Sequence, residues 1–272
     1  MNETGDPDVL RVQEAEPPAL GDGQVLIKVH AASVNAIDWR FRRGLVDRQL
    51  PAVLGSDVSG TVETSRAEGF AEGEEVFGLA ASGGYAELAT ASAAAIARKP
   101  AGVDHEQAAA LVAGAAGGVG HFAVQLANNA GARAIGTGSS RNRDYVLGLG
   151  AEQYVDYTQQ EVAEAVSGVD VAFDTVGGQT TESLLPAVRE GGVLVTIAGA
   201  PPEQAAQARG VRAELLVMSP RSEQLARLAE LVESGEVRVE IAEVLPLGEV
   251  VRAHALSESG HVRGKIILAV GS

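Results

Sequence analysis

The chain has 272 residues, a formal net charge of −15 at pH 7 and no cysteine. Such an acidic surface repels nucleic acid and anionic membranes, and a chain without cysteine has neither disulfides, thiolate nucleophiles nor cysteine-ligated zinc. The five histidines show no ligand spacing, so we expect no metal site. The N-terminus is acidic and no apolar run approaches a membrane span, so we expect a soluble, cytoplasmic protein.

Short β-type segments broken by glycine occupy residues 24–99. This pattern predicts an all-β domain over residues 1–100. Its core is expected to be aliphatic, because aromatic residues make up only 4% of the chain. A short helix over residues 106–111, capped by Asp104, is predicted to follow. The predicted strands are 25–29, 58–62, 75–79, 85–89 and 94–97.

The segment GAAGGVG at residues 114–120 lies between the apolar residues 110–112 and a helix-like run beginning at His121. Glycines at this spacing let a chain turn sharply into a helix and let backbone N–H groups approach a diphosphate. The segment therefore predicts a dinucleotide-binding loop. A glycine cluster in a packed loop is the alternative.

Residues 101–219 are predicted to form a second domain, in which helix-type and strand-type patterns alternate beyond the loop and the strand-type runs are mostly apolar. Apolar strands of this kind are typical of a doubly wound parallel sheet with helices on both faces. The predicted helices are 119–129, 140–148, 159–166 and 179–189, and the predicted strands are 132–137, 153–155, 170–174, 193–198 and 212–218. The last segment, 220–272, is predicted to contain a helix through Leu225, Leu228 and Leu231, a helix over 247–256 and a strand over 265–270.

The strand that follows the glycine loop indicates which dinucleotide is bound. An acidic residue about 20 positions past the glycines would bind a ribose 2′-hydroxyl, and none is present. The strand leads instead into Ser139, Ser140 and Arg141, whose hydroxyls and guanidinium suit a 2′-phosphate. We therefore expect NADPH rather than NADH. Helix capping by Ser140 with a surface arginine is the alternative.

A series of ordered segments resembles one family, the zinc-independent quinone oxidoreductase branch of the medium-chain dehydrogenase/reductase superfamily. The match extends over nearly the whole chain. The segments that carry it are ASVNAID at 32–38, GSDVSG at 55–60, GEEVFG at 73–78, GAAGGVG at 114–120, LGA at 149–151, FDTVGG at 173–178 and GHVRGK at 260–265.

This resemblance implies a GroES-like β domain packed on a Rossmann domain, with the last segment returning to the first domain and a homodimer formed through a Rossmann edge strand. Asn35 and Ser56 stand where zinc-bearing relatives have cysteine and histidine ligands. By position, the resemblance assigns Asn35 and Asp38 to catalysis at the nicotinamide; Ala116, Gly117, Gly118, Val119 and Gly120 to the diphosphate; Ser139, Ser140 and Arg141 to the 2′-phosphate; Tyr157 to the adenosine; Val176, Ile197, Ala198 and Gly199 to the nicotinamide; and Arg263, Gly264 and Lys265 to the cleft.

Without a metal or thiolate, the expected reaction is hydride transfer from NADPH to a quinone or an α,β-unsaturated carbonyl compound. Asn35 would donate a hydrogen bond to the developing oxyanion, and Asp38 would hold the nicotinamide ribose or the local loop. Alternatively, Asn35 and Asp38 only close a turn.

Two further functions remain open. An enoyl-thioester reductase would use Arg40, Arg42 and Arg43 for a phosphate-bearing carrier arm, although an exposed, solvated set of arginines is the favoured interpretation of this cluster. A non-catalytic NADPH-binding sensor is the other alternative.

The chain also departs from the family before the glycine loop. Relatives carry a helix, a loop and the first Rossmann strand there, a unit of roughly 30 residues. Either the chain lacks these residues, or a segment between Ala113 and Gly114 is left out of the numbering. The unpaired backbone that a true absence would leave in a buried sheet favours the second alternative.

Overall fold

A computed structural model describes residues 1–111, 118–219 and 221–271. The chain divides into two compact units, one formed by Met1–Gly118 with Ser219–Ser272 and the other by Val119–Met218. Across the described ranges, every helix is too short or too polar to cross a membrane.

The first unit is built on a mixed sheet of seven strands. Its strands are β1 (Gln24–Val34), β2 (Asp57–Ser65), β3 (Glu75–Leu79), β4 (Leu88–Ser92), β5 (Ile96–Arg98), β11 (Ile241–Pro246) and β12 (Lys265–Ala269). Its helices are α1 (Ala36–Arg42), α2 (His105–Leu111), α8 (Ser222–Glu233) and α9 (Val250–Glu258).

Strand β1 is the centre of this sheet. It pairs with β2 along most of its length, with β4 over its first half and with β12 over its last four residues. The core beneath it is aliphatic, as predicted, and includes Val25, Ile27 and Val58, which are fully buried. The sheet therefore fixes where β1 ends, and that end carries the first candidate catalytic residue, Asn35.

Most predicted strands of this unit are confirmed, with shifted bounds. The strand predicted over 85–89 is Leu88–Ser92, and a single 3₁₀ turn, Ala93–Ala95, replaces the start of the strand predicted over 94–97. The Asp104 cap is confirmed, because the Gln107 N–H donates to Asp104 Oδ1 over 2.7 Å. Helix α1 and strand β11 were not predicted.

The second unit alternates strands and helices. Its strands are β6 (Ile135–Gly138), β7 (Gln153–Asp156), β8 (Val169–Asp174), β9 (Val188–Thr196) and β10 (Arg212–Leu215). Its helices are α3 (Gly120–Asn129), α4 (Arg143–Gly148), α5 (Val162–Ala165), α6 (Gln179–Leu184) and α7 (Glu203–Ala208). All its strand pairs are parallel, as predicted, whereas the helix predicted over 159–166 is a single turn and α7 was not predicted.

These parallel strands form two separate sheets, β6-β7 and β10-β9-β8. In a Rossmann sheet the strand order is 3-2-1-4-5-6, so the first strand lies between the second and the fourth. Here β6 and β8 occupy the second and fourth places, and the described residues supply no strand between them. Two apolar side chains of β8, Val171 and Phe173, are consequently 57% and 37% exposed.

The sequence runs from Ala113 directly to Gly114. The alternative favoured above, a segment left out of the numbering, was therefore wrong, and the chain itself is short at this point. A hydrophobic cluster partly replaces the packing that the missing strand would provide. In it, Val155 of β7 and Val162 of α5 pack with Val169 of β8 and so join the two sheets.

Helices α1 and α9 are joined by a charged cluster. Arg42 is fully buried, donates to the Gly5 carbonyl over 2.7 Å and forms an ion pair with Glu258. Arg43 reaches the other oxygen of Glu258 over 2.6 Å and Asp6 over 2.7 Å. The expectation of an exposed, solvated arginine set was therefore wrong for Arg42, whose side chain binds the chain's own acceptors.

Replacing Glu258 with glutamine should lower the free energy of unfolding by about 2–3 kcal/mol, because the buried Arg42 guanidinium would lose its counter-charge. Denaturant unfolding followed by circular dichroism measures this change. The matched control is Glu230→Gln, which breaks the exposed Arg227–Glu230 pair and should cost at most about 0.5 kcal/mol. Equal effects of the two substitutions would contradict a structural role for the buried pair.

Candidate functional site

A buried polar cluster lies where β1, β2 and β12 meet. The Lys265 ammonium donates to Asn35 Oδ1 over 2.6 Å and lies 3.6 Å from Asp57 Oδ2. The Asn35 amide nitrogen donates to the same Asp57 oxygen over 2.7 Å. All three residues are at most 4% exposed, so the charges in this cluster are neutralised by one another.

Strand register brings these residues together. Ser33 of β1 pairs with Asp57 at the start of β2, and Val34 pairs with Ile266 in β12. Asn35, the next residue after Val34, therefore lies beside Lys265, which precedes Ile266. Residues far apart in the sequence thus meet through ordinary antiparallel pairing.

Burial dominates the protonation of this cluster. It raises the pKa of Asp57 to about 7, although the Lys265 charge and the Asn35 hydrogen bond act in the opposite direction. Burial likewise lowers the pKa of Lys265, with the Asp57 and Asp38 carboxylates opposing it. Burial therefore opposes the charged form of both groups, and the attraction between Lys265 and Asp57 favours it.

Asp38 is fully buried and contacts this cluster through the backbone N–H of Asn35. Its Oδ2 accepts from the Asn35 N–H over 2.8 Å and from the Tyr85 hydroxyl over 3.0 Å, and its Oδ1 accepts from the Gly55 N–H over 3.2 Å. Only glycine suits position 55, because φ is +85° and a Cβ would lie 2.4 Å from the Tyr85 ring. Within the first unit, Asp38 therefore fixes the start of α1 and with it the position of Asn35.

The described end of the glycine loop fits a diphosphate. Gly118 leaves no room for a side chain, since a Cβ would lie 2.2 Å from Lys265 Cδ. Helix α3 begins two residues later without a side-chain cap at Val119, and no described residue lies within 4 Å of where a Gly120 Cβ would be. Uncapped N–H groups at a helix start favour an anion. Ala116 and Gly117 lie outside the described residues.

The candidate 2′-phosphate residues follow β6. Ser139 is half-buried, and its carbonyl accepts from the Tyr154 hydroxyl over 2.6 Å. Ser140 and Arg141 are exposed in the short 3₁₀ turn that comes next. Tyr157, which follows the neighbouring strand β7, is 60% exposed, and its N–H donates to the Gly138 carbonyl over 3.3 Å. Parallel pairing of β6 and β7 thus places these candidates at one sheet edge.

The candidate nicotinamide residues of the second unit also share a sheet edge, after β8 and β9. Buried Asp174 organises them: its Oδ1 accepts from the Val176 N–H over 2.9 Å, and its Oδ2 accepts from the Gly177 N–H over 3.0 Å and from the Thr196 hydroxyl over 3.2 Å. The Ile197 N–H donates to the Asp174 carbonyl over 3.1 Å. A Cβ on Gly177 would lie 2.7 Å from the Ala198 carbonyl oxygen, so the two loops are in close contact.

Among the remaining candidates, Gly264 has φ +85° and packs on the Glu240 carbonyl, which directs Lys265 into the sheet. Arg263 and Gly199 are exposed. Sequence analysis assigned no role to Asp57 or Tyr85. The signal available for Asp57 was an acidic residue at the start of a strand whose next residues are all apolar or small.

Comparison with known proteins places this geometry in a family. Residues 21–101 match the alcohol dehydrogenase GroES-like domain, and residues 149–268 match the zinc-binding dehydrogenase family. The chain is 30% identical to the chloroplastic NADPH-dependent alkenal/one oxidoreductase of Arabidopsis thaliana, in an alignment of 308 positions that covers 97% of this chain and 77% of the relative. That alignment is longer than the chain, so the relative contributes residues that this chain lacks.

Two solved structures show the same fold. The quinone oxidoreductase from Coxiella burnetii matches with a TM-score of 0.94 and 33% identity, covering 99% of this chain and 98% of that one. The Escherichia coli quinone oxidoreductase complexed with NADPH matches with a TM-score of 0.87 and 26% identity, covering 99% of this chain and 98% of that one. The predicted fold class, a GroES-like β domain with a Rossmann-type parallel sheet, is confirmed. The chain belongs to the quinone oxidoreductase branch of the medium-chain dehydrogenase/reductase superfamily.

Proposed function

We propose that this protein is an NADPH-dependent oxidoreductase that transfers hydride to quinones or other α,β-unsaturated carbonyl compounds. The observation that carries the proposal is the buried group of Asn35, Asp57 and Lys265, a hydrogen-bonded polar centre in a chain related to proteins with this activity.

The described residues fit the coenzyme. The uncapped start of α3, with Gly118 before it, suits the diphosphate, and Ser139, Ser140 and Arg141 supply donors for a 2′-phosphate. When bound, NADPH supplies a hydride from its nicotinamide ring. The protein must then stabilise the negative charge that appears on the oxygen of the acceptor.

Asn35 is suited to that role because both ends of its side-chain amide are held. Its oxygen accepts from Lys265 and one amide hydrogen goes to Asp57, which leaves the second amide hydrogen for a substrate oxygen. The Lys265 charge polarises the amide and so strengthens it as a donor. Asp38 acts as a positioning residue, because it holds the backbone N–H of Asn35.

Zinc is not needed for this chemistry. By the family resemblance, Asn35 and Ser56 stand where metal-bearing relatives have zinc ligands, and an amide and a hydroxyl are poor zinc ligands compared with thiolate or imidazole. Among the described residues, no cluster of three His, Cys, Asp or Glu side chains could hold a metal ion. Zinc independence and a cytoplasmic location stay predictions.

The enoyl-thioester alternative loses its support in the structure. It relied on an arginine set free to bind a phosphate-bearing arm, but Arg42 is buried against Glu258 and Arg43 pairs with Glu258 and Asp6. The non-catalytic alternative, an NADPH-binding sensor, predicts coenzyme binding without oxidation of NADPH by any acceptor, so a measurement of turnover distinguishes it from the proposed enzyme.

Replacing Asn35 with alanine should lower kcat/KM for benzoquinone by about a hundredfold, because one donor to the oxyanion is lost. The measurement is the loss of nicotinamide absorbance, with NADPH affinity measured in parallel by coenzyme fluorescence. Affinity should stay close to that of the unmodified protein, which separates a catalytic effect from misfolding. Asn2→Ala, at an exposed position of the first unit, is the control. Unchanged turnover in Asn35→Ala would contradict the role of this amide.

Replacing Arg141 with glutamine should weaken NADPH binding by about ten- to a hundredfold, because a charge-assisted hydrogen bond to the 2′-phosphate is lost. NADH binding should change little, since NADH has no 2′-phosphate. Calorimetry with both coenzymes measures the difference. Arg133→Gln, which removes an exposed arginine paired with Glu152, should leave both affinities unchanged. Equal losses for the two coenzymes would reject the assignment of Arg141.

We further propose a homodimer formed through the edge strand β10. Among the described residues, this strand pairs with β9 alone. It ends in an apolar exposed run formed by its last residue and the next three: Leu215, Leu216, Val217 and Met218 are 47%, 56%, 73% and 51% exposed. An apolar run on an open strand edge is typical of a surface that pairs with a second chain.

Replacing Val217 with arginine should convert the dimer to a monomer, because the charge would have to be buried at the shared edge. Sedimentation velocity measures the change. Val12→Arg is the matched control, since Val12 is 61% exposed in the other unit. A monomeric unmodified protein, or a dimer that persists in Val217→Arg, would reject this interface.

A further inference from the structure

Arg40 is half-buried in helix α1 and differs from the arginines that follow it. The side chains of Arg42 and Arg43 both bind Glu258. Among the described residues, by contrast, Arg40 forms neither an ion pair nor a side-chain hydrogen bond. The chain has 36 acidic residues against 21 lysines and arginines, so an arginine without an acidic partner is available for an anion from outside the chain.

An aromatic ring sets the position of the Arg40 guanidinium. Its Cζ atom lies 5.6 Å from the centre of the Trp39 ring, which is within the range of a cation–π contact. Such a contact holds the cation over the face of the ring and uses none of its N–H donors. The guanidinium is thus held in place while its hydrogen bonds stay open to a ligand.

Helix geometry directs the Arg40 side chain toward Asn35. Asn35 is the N-cap of α1, and Arg40 follows within the same helix, about 7–8 Å further along the helix axis. Long side chains on a helix lean back toward its N-terminus, over the residues three and four positions earlier. For Arg40 these are Ile37 and Ala36, which directly follow Asn35. The cation and the Asn35 amide are therefore close enough for one small molecule to contact both.

Apolar surface lies next to this cation. The Leu45 N–H donates to the Arg40 carbonyl over 2.9 Å, so the residues after α1 fold back beside Arg40. Leu45 and Val46 are 69% and 37% exposed. A cation beside exposed apolar side chains suits a ligand with an apolar body and one anionic group. The planar guanidinium pairs best with a carboxylate, which it can bind through parallel hydrogen bonds to both oxygens.

We propose that Arg40 binds a carboxylate on the hydride acceptor, so that the preferred substrates of this protein are quinones or enones that carry a carboxylate close to their carbonyl group. The inference rests on the proposed function, because it names the substrate class of the same site. Arg40 is a specificity-determining residue. Its contact with the carboxylate is the same before and during hydride transfer, so it lowers KM and leaves kcat nearly unchanged. The Lys265 charge is not available for this role, since Asn35 and Asp57 hold it.

The test is Arg40→Gln, assayed with β-acetylacrylate and with its uncharged methyl ester, two enones that differ in charge. KM for the acid should rise by about ten- to a hundredfold, because a charge-assisted contact with the carboxylate is lost. KM for the ester, kcat for both acceptors and NADPH affinity should change little, which also shows that the variant is folded. Arg40→Lys keeps the charge and should raise KM for the acid less than Arg40→Gln does. Added salt should raise KM for the acid in the unmodified protein but not in Arg40→Gln.

Arg11→Gln is the matched control, since Arg11 is an exposed arginine of the same unit outside α1. It should leave KM for both acceptors unchanged. Equal changes for the acid and the ester in Arg40→Gln, an equal rise of KM in the glutamine and lysine variants, or a loss of NADPH affinity would overturn the inference. If the unmodified protein reduces neither of these enones nor benzoquinone, the proposed function itself fails.

Discussion

A lysine ammonium cannot remain charged in a protein interior without an opposite charge and hydrogen-bond acceptors. Lys265 meets this condition through Asp57 and Asn35, and these partners come from three strands or strand ends of one sheet. The register of β1 against β2 and β12 is consequently tied to a polar centre as well as to apolar packing. The same requirement makes Asn35 a fixed donor, because neither end of its amide is free to rotate away.

In the second unit, the described residues lack the strand that a Rossmann sheet has between its second and fourth strands. In the described residues its parallel strands form two sheets, with no strand between β6 and β8. Apolar side chains of β8 are exposed as a result, while the packing of Val155, Val162 and Val169 joins the two sheets. The sheet edges that carry the candidate 2′-phosphate and nicotinamide residues of this unit are nevertheless each formed by a pair of strands that is present, β6 with β7 and β8 with β9.

Local patterns predicted much of this structure. Glycine spacing located the start of α3 to within one residue, the β-type pattern broken by glycine located β3 to the residue, and the Asp104 cap followed from its position before an apolar helix. Bounds shifted where apolar residues continue into a 3₁₀ turn, as at residues 93–95. Helix α7 was not predicted, because it is short and only Ala206 is buried.

The site was predicted less completely, for a physical reason. Asn35 and Lys265 were named from the family resemblance, but their contact depends on the pairing of β1 with β12, which joins residues more than 200 positions apart. Their partner Asp57 is brought to Asn35 by the register of β2 on β1. The arginine cluster was misjudged because Glu258, which buries Arg42, lies at the far end of the sequence.

The most direct test is a titration of the unmodified protein with NADPH by calorimetry, followed by addition of benzoquinone to the complex while nicotinamide absorbance is recorded. The account predicts saturable binding and then oxidation of NADPH in step with reduction of the quinone. Absence of binding heat in well-folded protein, or binding with no oxidation by quinones or enones, would contradict it.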